Sequence, residues 1–266
     1  MISAHIFYAS IPKLGNAENE NEDAVELTRY PKDGSKLTEL RCAIADGATQ
    51  ASFSKLWAHL LVRNAIQSGY VPSERRYREL LDKSCAEWAA DIGEKELPWY
   101  AVEKAKRGAF SSFLWISITT RPTKEGGTLR AISVGDSELF IIRDEKLSRA
   151  FPIIRSDEFG SSPVLISSKP EKNIDLPYSK WETKWEPGDE IILATDAIAH
   201  YFLSQFEMDN NPLESNRSLL LNDCHQELQF RGWIDGLRKE RKIKNDDTTM
   251  AWIHLYGQDE LVPSMD

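Results

Sequence analysis

The chain has few cysteines and no long hydrophobic run. Its three cysteines, Cys42, Cys85 and Cys224, are odd in number and far apart, which predicts neither a disulfide framework nor a zinc site. Apolar runs fall short of the roughly 18 residues that span a bilayer, and the first residues lack the charged start and apolar stretch of a signal peptide. We therefore expect free thiols, no membrane segment and a cytoplasmic location.

The chain also has fewer positively charged than negatively charged residues. The sequence has 33 Lys and Arg against 42 Asp and Glu, a net charge of −9. This balance argues against binding nucleic acid, because phosphate backbones require a basic surface. The hydrophobic content of 41% and charged content of 28% are typical of a globular protein. An anionic substrate would therefore need local positive charge, from a few cationic side chains or from a metal.

Apolar periodicity predicts strands and helices in blocks. Residues 52–69 repeat at the helical period, and a second helix is predicted from an N-cap at Ser73 to Gly93. Strands are predicted at 37–45, 109–120, 129–135, 138–144, 188–196 and 248–256, with further helices at 197–206 and 213–240. Gly135 and Asp136 predict a hairpin turn, and the five prolines of 151–187 predict an irregular segment along a sheet edge. Blocks of this kind favour antiparallel sheets with helices outside.

We find no internal repeat and no low-complexity linker. The sequence therefore predicts one domain, residues 1–258, followed by a tail at 259–266.

Carboxylates recur where apolar strands begin or end. The positions are Glu22, Asp23, Asp46, Asp136, Asp196, Asp246 and Asp247. If they converge at one end of the sheets, their like charges repel unless cations neutralise them. A set of oxygen ligands without His or Cys favours Mg²⁺ or Mn²⁺. The sequence thus indicates a metal centre that would supply the positive charge the chain lacks.

Each of these acids also has a purely structural interpretation. Asp46 and Gly47 form a favoured turn dipeptide, in which the glycine accepts a positive φ. Asp136 could serve only the predicted hairpin, and Asp196 could be a helix N-cap without a metal. The acidic run around Glu22 could be a solvated loop, and the stretch that contains Asp246 and Asp247 could be a plain turn.

Five short motifs in order resemble the PP2C family of metal-dependent serine/threonine phosphatases, particularly its bacterial members. They are "NEDA", "ADG", "VGDS", "ATD" and "NDDTT", spread over about nine tenths of the chain. The resemblance implies an α+β fold, a four-layer α-β-β-α sandwich of two mostly antiparallel sheets flanked by helices. It also implies two Mn²⁺ or Mg²⁺ ions, with a third possible, at one end of the sheets.

The resemblance implies a role for each motif residue. Asp23 and Asp46 would ligate the metal pair, with Asp46 bridging both ions and the carbonyl of Gly47 completing one shell. The remaining positions are Asp196 and Asp246 at the second ion, Asp136 at the weaker third ion, Glu22 acting through water, and Asp247 as the second choice beside Asp246.

The implied activity is hydrolysis of phosphoserine and phosphothreonine in proteins, opposing a Ser/Thr kinase. A water bridging the ions would attack phosphorus in line, without a phosphoenzyme. No cysteine has an arginine six residues later, which agrees with a mechanism that needs no Cys nucleophile. Two alternatives remain open: a phosphoprotein-binding or signalling module of the same fold with little turnover, and a hydrolase of small phosphate esters.

The chain departs from the eukaryotic pattern at two positions. Glu18 stands where such members carry a phosphate-binding Arg, so Lys13 is the nearest candidate for the substrate phosphate. Ala48 stands where many have a His that is a proposed general acid. His200, one helical turn after Asp196, is a weaker candidate because apolar residues surround it in the sequence.

Overall fold

The computed structural model describes residues 3–30, 38–48, 53–68, 72–121, 124–160, 162–220 and 225–256. The helices are α1 (Ser54–Gln67), α2 (Glu74–Gly93), α3 (Trp99–Arg107), α4 (Asp196–Glu207) and α5 (Gln226–Lys239). The strands are β1 (Ser3–Ile11), β2 (Ala24–Tyr30), β3 (Glu39–Ala45), β4 (Phe110–Ser111), β5 (Phe113–Arg121), β6 (Lys124–Val134), β7 (Glu138–Arg143), β8 (Lys146–Phe151), β9 (Ile166–Ser167), β10 (Ser179–Trp185), β11 (Glu190–Ala194) and β12 (Thr248–Tyr256).

The strands build two five-stranded antiparallel sheets. The first sheet has the order β1-β12-β11-β7-β8, and the second has the order β10-β6-β5-β3-β2. A short pair, β4 with β9, lies beside them. Strand partners are often distant in the chain, as where β1 pairs with β12 along its whole length.

Three apolar clusters separate the structure into four layers. One cluster fills the space between the sheets. A second joins the outer face of the second sheet to α1 and α2, and a third joins the outer face of the first sheet to α4 and α5. The α-β-β-α sandwich predicted from the resemblance is confirmed.

Strand β3 illustrates why the central strands read as continuous apolar runs. Cys42 and Ile44 face the other sheet, whereas Ala43 and Ala45 face the helices. All four are fully buried, because a strand with cores on both sides alternates between two apolar environments. The small alanines let α1 approach the sheet closely.

The predicted hairpin through Gly135 and Asp136 is wrong. β6 belongs to the second sheet and pairs with β5 and β10, whereas β7 belongs to the first sheet and pairs with β8 and β11. Both edges of each strand are already occupied, so the turn carries the chain from one sheet to the other. Gly135 has a φ of +90°, and a Cβ there would lie 2.7 Å from Cβ of Ser112.

The segment 151–187 is more ordered than its prolines predict. Its last part forms β10, which pairs with β6 over seven residues at the edge of the second sheet. Lys180, Glu182 and Lys184 alternate with Trp181 and Trp185, a pattern of an edge strand. Helix α3 was not predicted from the sequence. Its large apolar residues Trp99 and Tyr100 are exposed, and Ala105 is its one buried residue.

The predicted helices at 52–69 and 73–93 are confirmed as α1 and α2. Residues 52 and 69 and the predicted tail at 259–266 lie outside the described residues, so the domain boundary at 258 stays a prediction. Among the helices of the described residues, none combines the length with the apolarity that a membrane crossing requires.

Candidate metal centre

Two of the predicted ligands lie at the same end of the second sheet. Asp23 immediately precedes β2 and Asp46 immediately follows β3. Because Ala24 pairs with Ala45 in the antiparallel register, the two aspartates are neighbours across the strands.

Two more predicted ligands lie at the corresponding end of the first sheet. Asp196 opens α4 after β11, and Asp246 precedes β12. The amide of Thr195 donates to the carbonyl of Thr249 at 3.0 Å, which ties the two segments together. The helix N-cap is Thr195, so the alternative that Asp196 is itself the N-cap is wrong.

Asp46 lies where the two sets meet. Burial raises its pKa well above the ordinary value, and the next contributions come from Asp23, Asp196, Asp136 and Asp246. The backbone of Asp46 is held rigidly: its carbonyl accepts from the amide of Ser112 at 2.9 Å and from Oγ of Ser111 at 2.7 Å. Aspartates from both sheets thus act electrostatically on Asp46.

Asp23 is the most deeply buried of these acids, at 3% exposure. Its Oδ2 accepts hydrogen bonds from Oγ1 of Thr249 at 2.7 Å and of Thr195 at 3.0 Å. Its Oδ1 is buried and has no hydrogen-bond partner within the described part of the chain. Burial, opposed by the two threonine bonds and reinforced by the charge of Asp247, raises the pKa of Asp23 to about 8. A buried carboxylate oxygen without a partner is costly, and a cation would satisfy it.

The close packing around residue 47 leaves no room for a side chain, so a glycine is required there. A Cβ at this position would lie 2.7 Å from the carbonyl oxygen of Glu22 and 3.0 Å from Ser54. Gly47 is not among the residues with a positive φ, so the turn interpretation does not account for it. The glycine lets the chain after Asp46 pass against the loop that carries Asp23.

Asp246 and Asp247 differ in how their oxygens are used. Asp247 accepts from the amide of Lys13 through Oδ1 at 2.9 Å and from the amide of Glu22 through Oδ2 at 2.8 Å. It therefore fixes the backbone on both sides of the loop before Asp23. The Oδ1 of Asp246 accepts only a local bond from the amide of Asp247 among the hydrogen bonds described, which favours Asp246 as the ligand.

Asp136 adds a further carboxylate at the turn between the sheets. It is 7% exposed, and burial followed by the charge of Asp196 raises its pKa to about 6. His200 is exposed and packs edge-on against Phe159, with ring centroids 5.4 Å apart. That packing supports the structural interpretation of His200.

Cations surround the acids at the surface. Nζ of Lys244 lies 3.3 Å from Oδ2 of Asp196, and Nζ of Lys13 lies 4.0 Å from Oδ1 of Asp246. Glu18 pairs with Nη2 of Arg231 on α5 at 2.6 Å, so a guanidinium lies beside the position from which the Arg is missing.

Sequence reasoning missed Lys244 and Arg231. Lys244 is in the basic run "RKERKIK", which resembles a solvated helix face. Arg231 is 213 positions from its partner Glu18, and no local pattern connects them. At Ala48, the other departure, the amide donates to the carbonyl of Phe110 at 2.9 Å and the carbonyl accepts from Oγ of Ser54 at 2.7 Å.

The donor set fits hard divalent cations. Within the described ranges, no three His, Cys, Asp or Glu side chains are already drawn together around one point. The unpartnered Oδ1 of Asp23, the all-oxygen donors and the raised pKa values of Asp23, Asp46 and Asp246 all suit Mn²⁺ or Mg²⁺.

Comparisons with known proteins identify the fold. The chain resembles the catalytic domain of the serine/threonine protein phosphatase PstP in complex with two manganese ions, with a TM-score of 0.56 and 14% identity over 96% of this chain and 100% of that one. It also resembles the S. agalactiae serine/threonine phosphatase, with a TM-score of 0.56 and 11% identity over 95% and 99% of the chains. RsbX in complex with magnesium gives a TM-score of 0.52 and 18% identity over 96% and 100%.

These structural neighbours are PP2C-family phosphatases, and the chain shares their fold. No protein-family model and no curated protein sequence matches the chain.

Proposed function

We propose that this chain is a metal-dependent phosphatase that hydrolyses phosphoserine and phosphothreonine in proteins. The observation that carries the proposal is the buried, unpartnered Oδ1 of Asp23 among carboxylates delivered by both sheets. Neighbours of the same fold with bound manganese or magnesium support metal dependence. The substrate would be a cytoplasmic phosphoprotein whose Ser/Thr kinase this enzyme opposes.

The proposed ligands are Asp23, Asp46, the carbonyl of Gly47, Asp196 and Asp246, with Asp136 at a third ion. Bound divalent cations supply the positive charge that offsets a phosphoryl group and lower the pKa of a water that can attack it. Thr195 and Thr249 orient Asp23 through its Oδ2. Asp247 holds the loop on which Glu22 and Asp23 lie, and Glu22 would act through water beside the ligands.

The described cysteines are unsuited to nucleophilic catalysis. Cys42 and Cys85 are both buried. Burial raises the pKa of Cys85 to about 12 and raises that of Cys42 as well, so both remain thiols at neutral pH. This agrees with direct attack by water. Cys224 lies outside the described residues.

The test is hydrolysis of p-nitrophenyl phosphate and of a phosphothreonine peptide, with Mn²⁺ and with a chelator. We expect turnover of both substrates with Mn²⁺, a preference for the peptide, and loss of turnover on chelation. Turnover of small esters without the peptide would support the small-molecule hydrolase instead. Metal and phosphopeptide binding without turnover would support the binding module.

A substitution of Lys244 tests how the substrate phosphate is held. Lys13 and Lys244 are the cations beside Asp246 and Asp196, so we expect their ammonium groups to contact phosphoryl oxygens in place of the missing Arg. Lys244→Ala should raise KM for the phosphopeptide about three- to tenfold and change kcat less than about twofold, the range for a partly exposed charge contact.

Lys242→Ala is the matched control, because Lys242 is exposed and pairs with Glu240 at 2.7 Å. It should leave both constants at the wild-type values. Equal KM values for wild type and Lys244→Ala would show that Lys244 does not contact the substrate phosphate.

A further inference from the structure

A cavity of about 400 Å³ opens beside Asp136. One wall is the turn that joins the two sheets, residues 133–136. The other wall comes from residues 152–153, 158, 160 and 162–164, and from 177–179 at the start of β10. The turn contacts Ser112, which is bonded to Asp46: a Cβ at Gly135 would lie 2.7 Å from Cβ of Ser112, and the amide of Ser112 donates to the carbonyl of Asp46 at 2.9 Å. The cavity therefore adjoins the candidate metal centre.

The wall opposite Asp136 is anchored near its start by two sets of hydrogen bonds. The amide of Ile153 donates to the buried Glu138 of β7, at 3.1 and 3.3 Å to its two oxygens. Ser156 donates through its amide at 2.7 Å and through Oγ at 2.5 Å to Glu207 of α4. These bonds tie the start of this wall, at residues 152–158, to a strand and to a helix.

The lining combines apolar sides with acidic groups. Val134, Ile153, Val164 and Tyr178 contribute apolar and aromatic surface, together with three prolines. Asp136 and Glu158 contribute carboxylates, and the described residues that line the cavity include no Lys, Arg or His. The Asp136 side chain is more than nine-tenths buried, and no side-chain donor is described for it.

We propose that this cavity binds the side chain of a lysine or arginine in the phosphoprotein substrate, close to the phosphorylated residue. This inference rests on the proposed function. A long basic side chain lays its aliphatic stem against apolar surface while its charged head reaches a carboxylate. An extended peptide advances about 3.3 Å per residue, and because the cavity adjoins the candidate metal centre, the positions next to the phosphorylated residue are the ones to test.

Negative charge in the cavity also favours a basic side chain over an acidic or an apolar one. An acidic substrate residue would meet like charge at Glu158, and an apolar residue would leave the Glu158 carboxylate without a new partner. The chain as a whole carries a net charge of −9, which favours basic peptides at longer range as well.

The experiment uses phosphothreonine peptides with Mn²⁺. In an alanine-rich background, a single Arg is placed at position −2, −1, +1 or +2, and each peptide has a partner with Gln at that position. At one of these positions we expect the wild-type kcat/KM to be about five- to tenfold higher for Arg than for Gln, the range for a charge-assisted contact at a partly exposed site.

Glu158→Gln should reduce that Arg-to-Gln ratio to less than about twofold. Asp157→Asn is the matched control, because Asp157 is adjacent, exposed and paired with Arg155 at 2.6 Å, and it does not line the cavity. This variant should keep the wild-type ratio.

The controls separate this inference from the proposed function. Equal rates for all Arg and Gln peptides, with intact Mn²⁺-dependent hydrolysis, would overturn the inference alone. A ratio that persists in Glu158→Gln, or a higher rate for Leu than for Arg, would do the same.

If no peptide is hydrolysed, binding of the same fluorescently labelled peptides gives the answer. Tighter binding of the Arg peptide by wild type than by Glu158→Gln supports the cavity assignment even though the proposed phosphatase activity has failed. Equal binding of Arg and Gln peptides by wild type overturns it.

Discussion

The Asp46→Asn variant is expected to lose at least about a thousandfold in kcat/KM for the phosphothreonine peptide, equivalent to about 4 kcal/mol of transition-state stabilisation. Asp46 is the carboxylate whose pKa responds to four other aspartates, so it lies at their meeting point. An amide there is neutral and cannot replace the charge that two cations need. Removing it should impair metal binding and hydrolysis together.

The variant should nonetheless fold. The backbone bonds of Asp46 to Ser111 and Ser112 do not involve its carboxylate, and asparagine has nearly the same shape. Circular dichroism should match the wild type, while stabilisation by Mn²⁺ in a thermal melt should be lost.

Asp82→Asn is the control, because Asp82 is exposed on α2, and it should retain activity and metal response. Full activity of a folded Asp46→Asn protein would show that the centre proposed here is misassigned.

Without metal, the protein should become less stable as the pH rises from about 4 to about 8. Burial raises the pKa of Asp23 to about 8 and that of Asp136 to about 6, and it also raises the pKa of Asp46. In this interval the folded state holds protons that the unfolded chain has released, so the free energy of unfolding falls with increasing pH.

Asp23→Asn should reverse most of this loss. At about 1.4 kcal/mol per pKa unit, ionising Asp23 in the folded protein costs about 5 kcal/mol by pH 8. The substitution replaces this with a buried amide donor that costs about 2 kcal/mol if unpaired. Metal-free Asp23→Asn should therefore be about 3 kcal/mol more stable than wild type at pH 8, and less different at pH 5.

Urea denaturation in chelator at pH 5, 6, 7 and 8 measures this effect, with Asp82→Asn as a control that should follow the wild-type slope. Added Mn²⁺ at about a hundred times its Kd should stabilise the wild type by about 2.7 kcal/mol and leave Asp23→Asn unchanged. Wild-type stability that is constant or rises between pH 5 and 8 would contradict the burial argument for Asp23.

Sequence patterns identified the buried strands and the acids at their ends for a physical reason. A strand packed on both faces has to be apolar throughout, as in β3, and an acid that interrupts such a run stands out. The motif order then indicated the fold. Periodicity, however, reports which faces are buried and not which strand lies alongside, so β6 and β7 resembled a hairpin although they lie in different sheets.

The side chains around the acids could not be predicted from the sequence, because they come from distant parts of the chain. That Glu18 replaces an Arg is visible in the sequence, but its partner Arg231 comes from α5. The choice between Asp246 and Asp247 likewise rests on Lys13 and Glu22, more than two hundred positions away. The interpretation of Gly47 as a turn residue was wrong because the constraint is its contact with Glu22.

The two threonine hydrogen bonds to Asp23 cross the interface between the two halves of the sandwich, each half being one sheet with its helices. Asp23 leads into the second sheet, whereas Thr195 and Thr249 belong to the first sheet and its connection to α4. Cations bound by both Asp46 and Asp196 would also connect the two sheets. Bound metal would therefore link the two halves reversibly, and we expect the stability of the whole molecule to depend on the concentration of divalent cations.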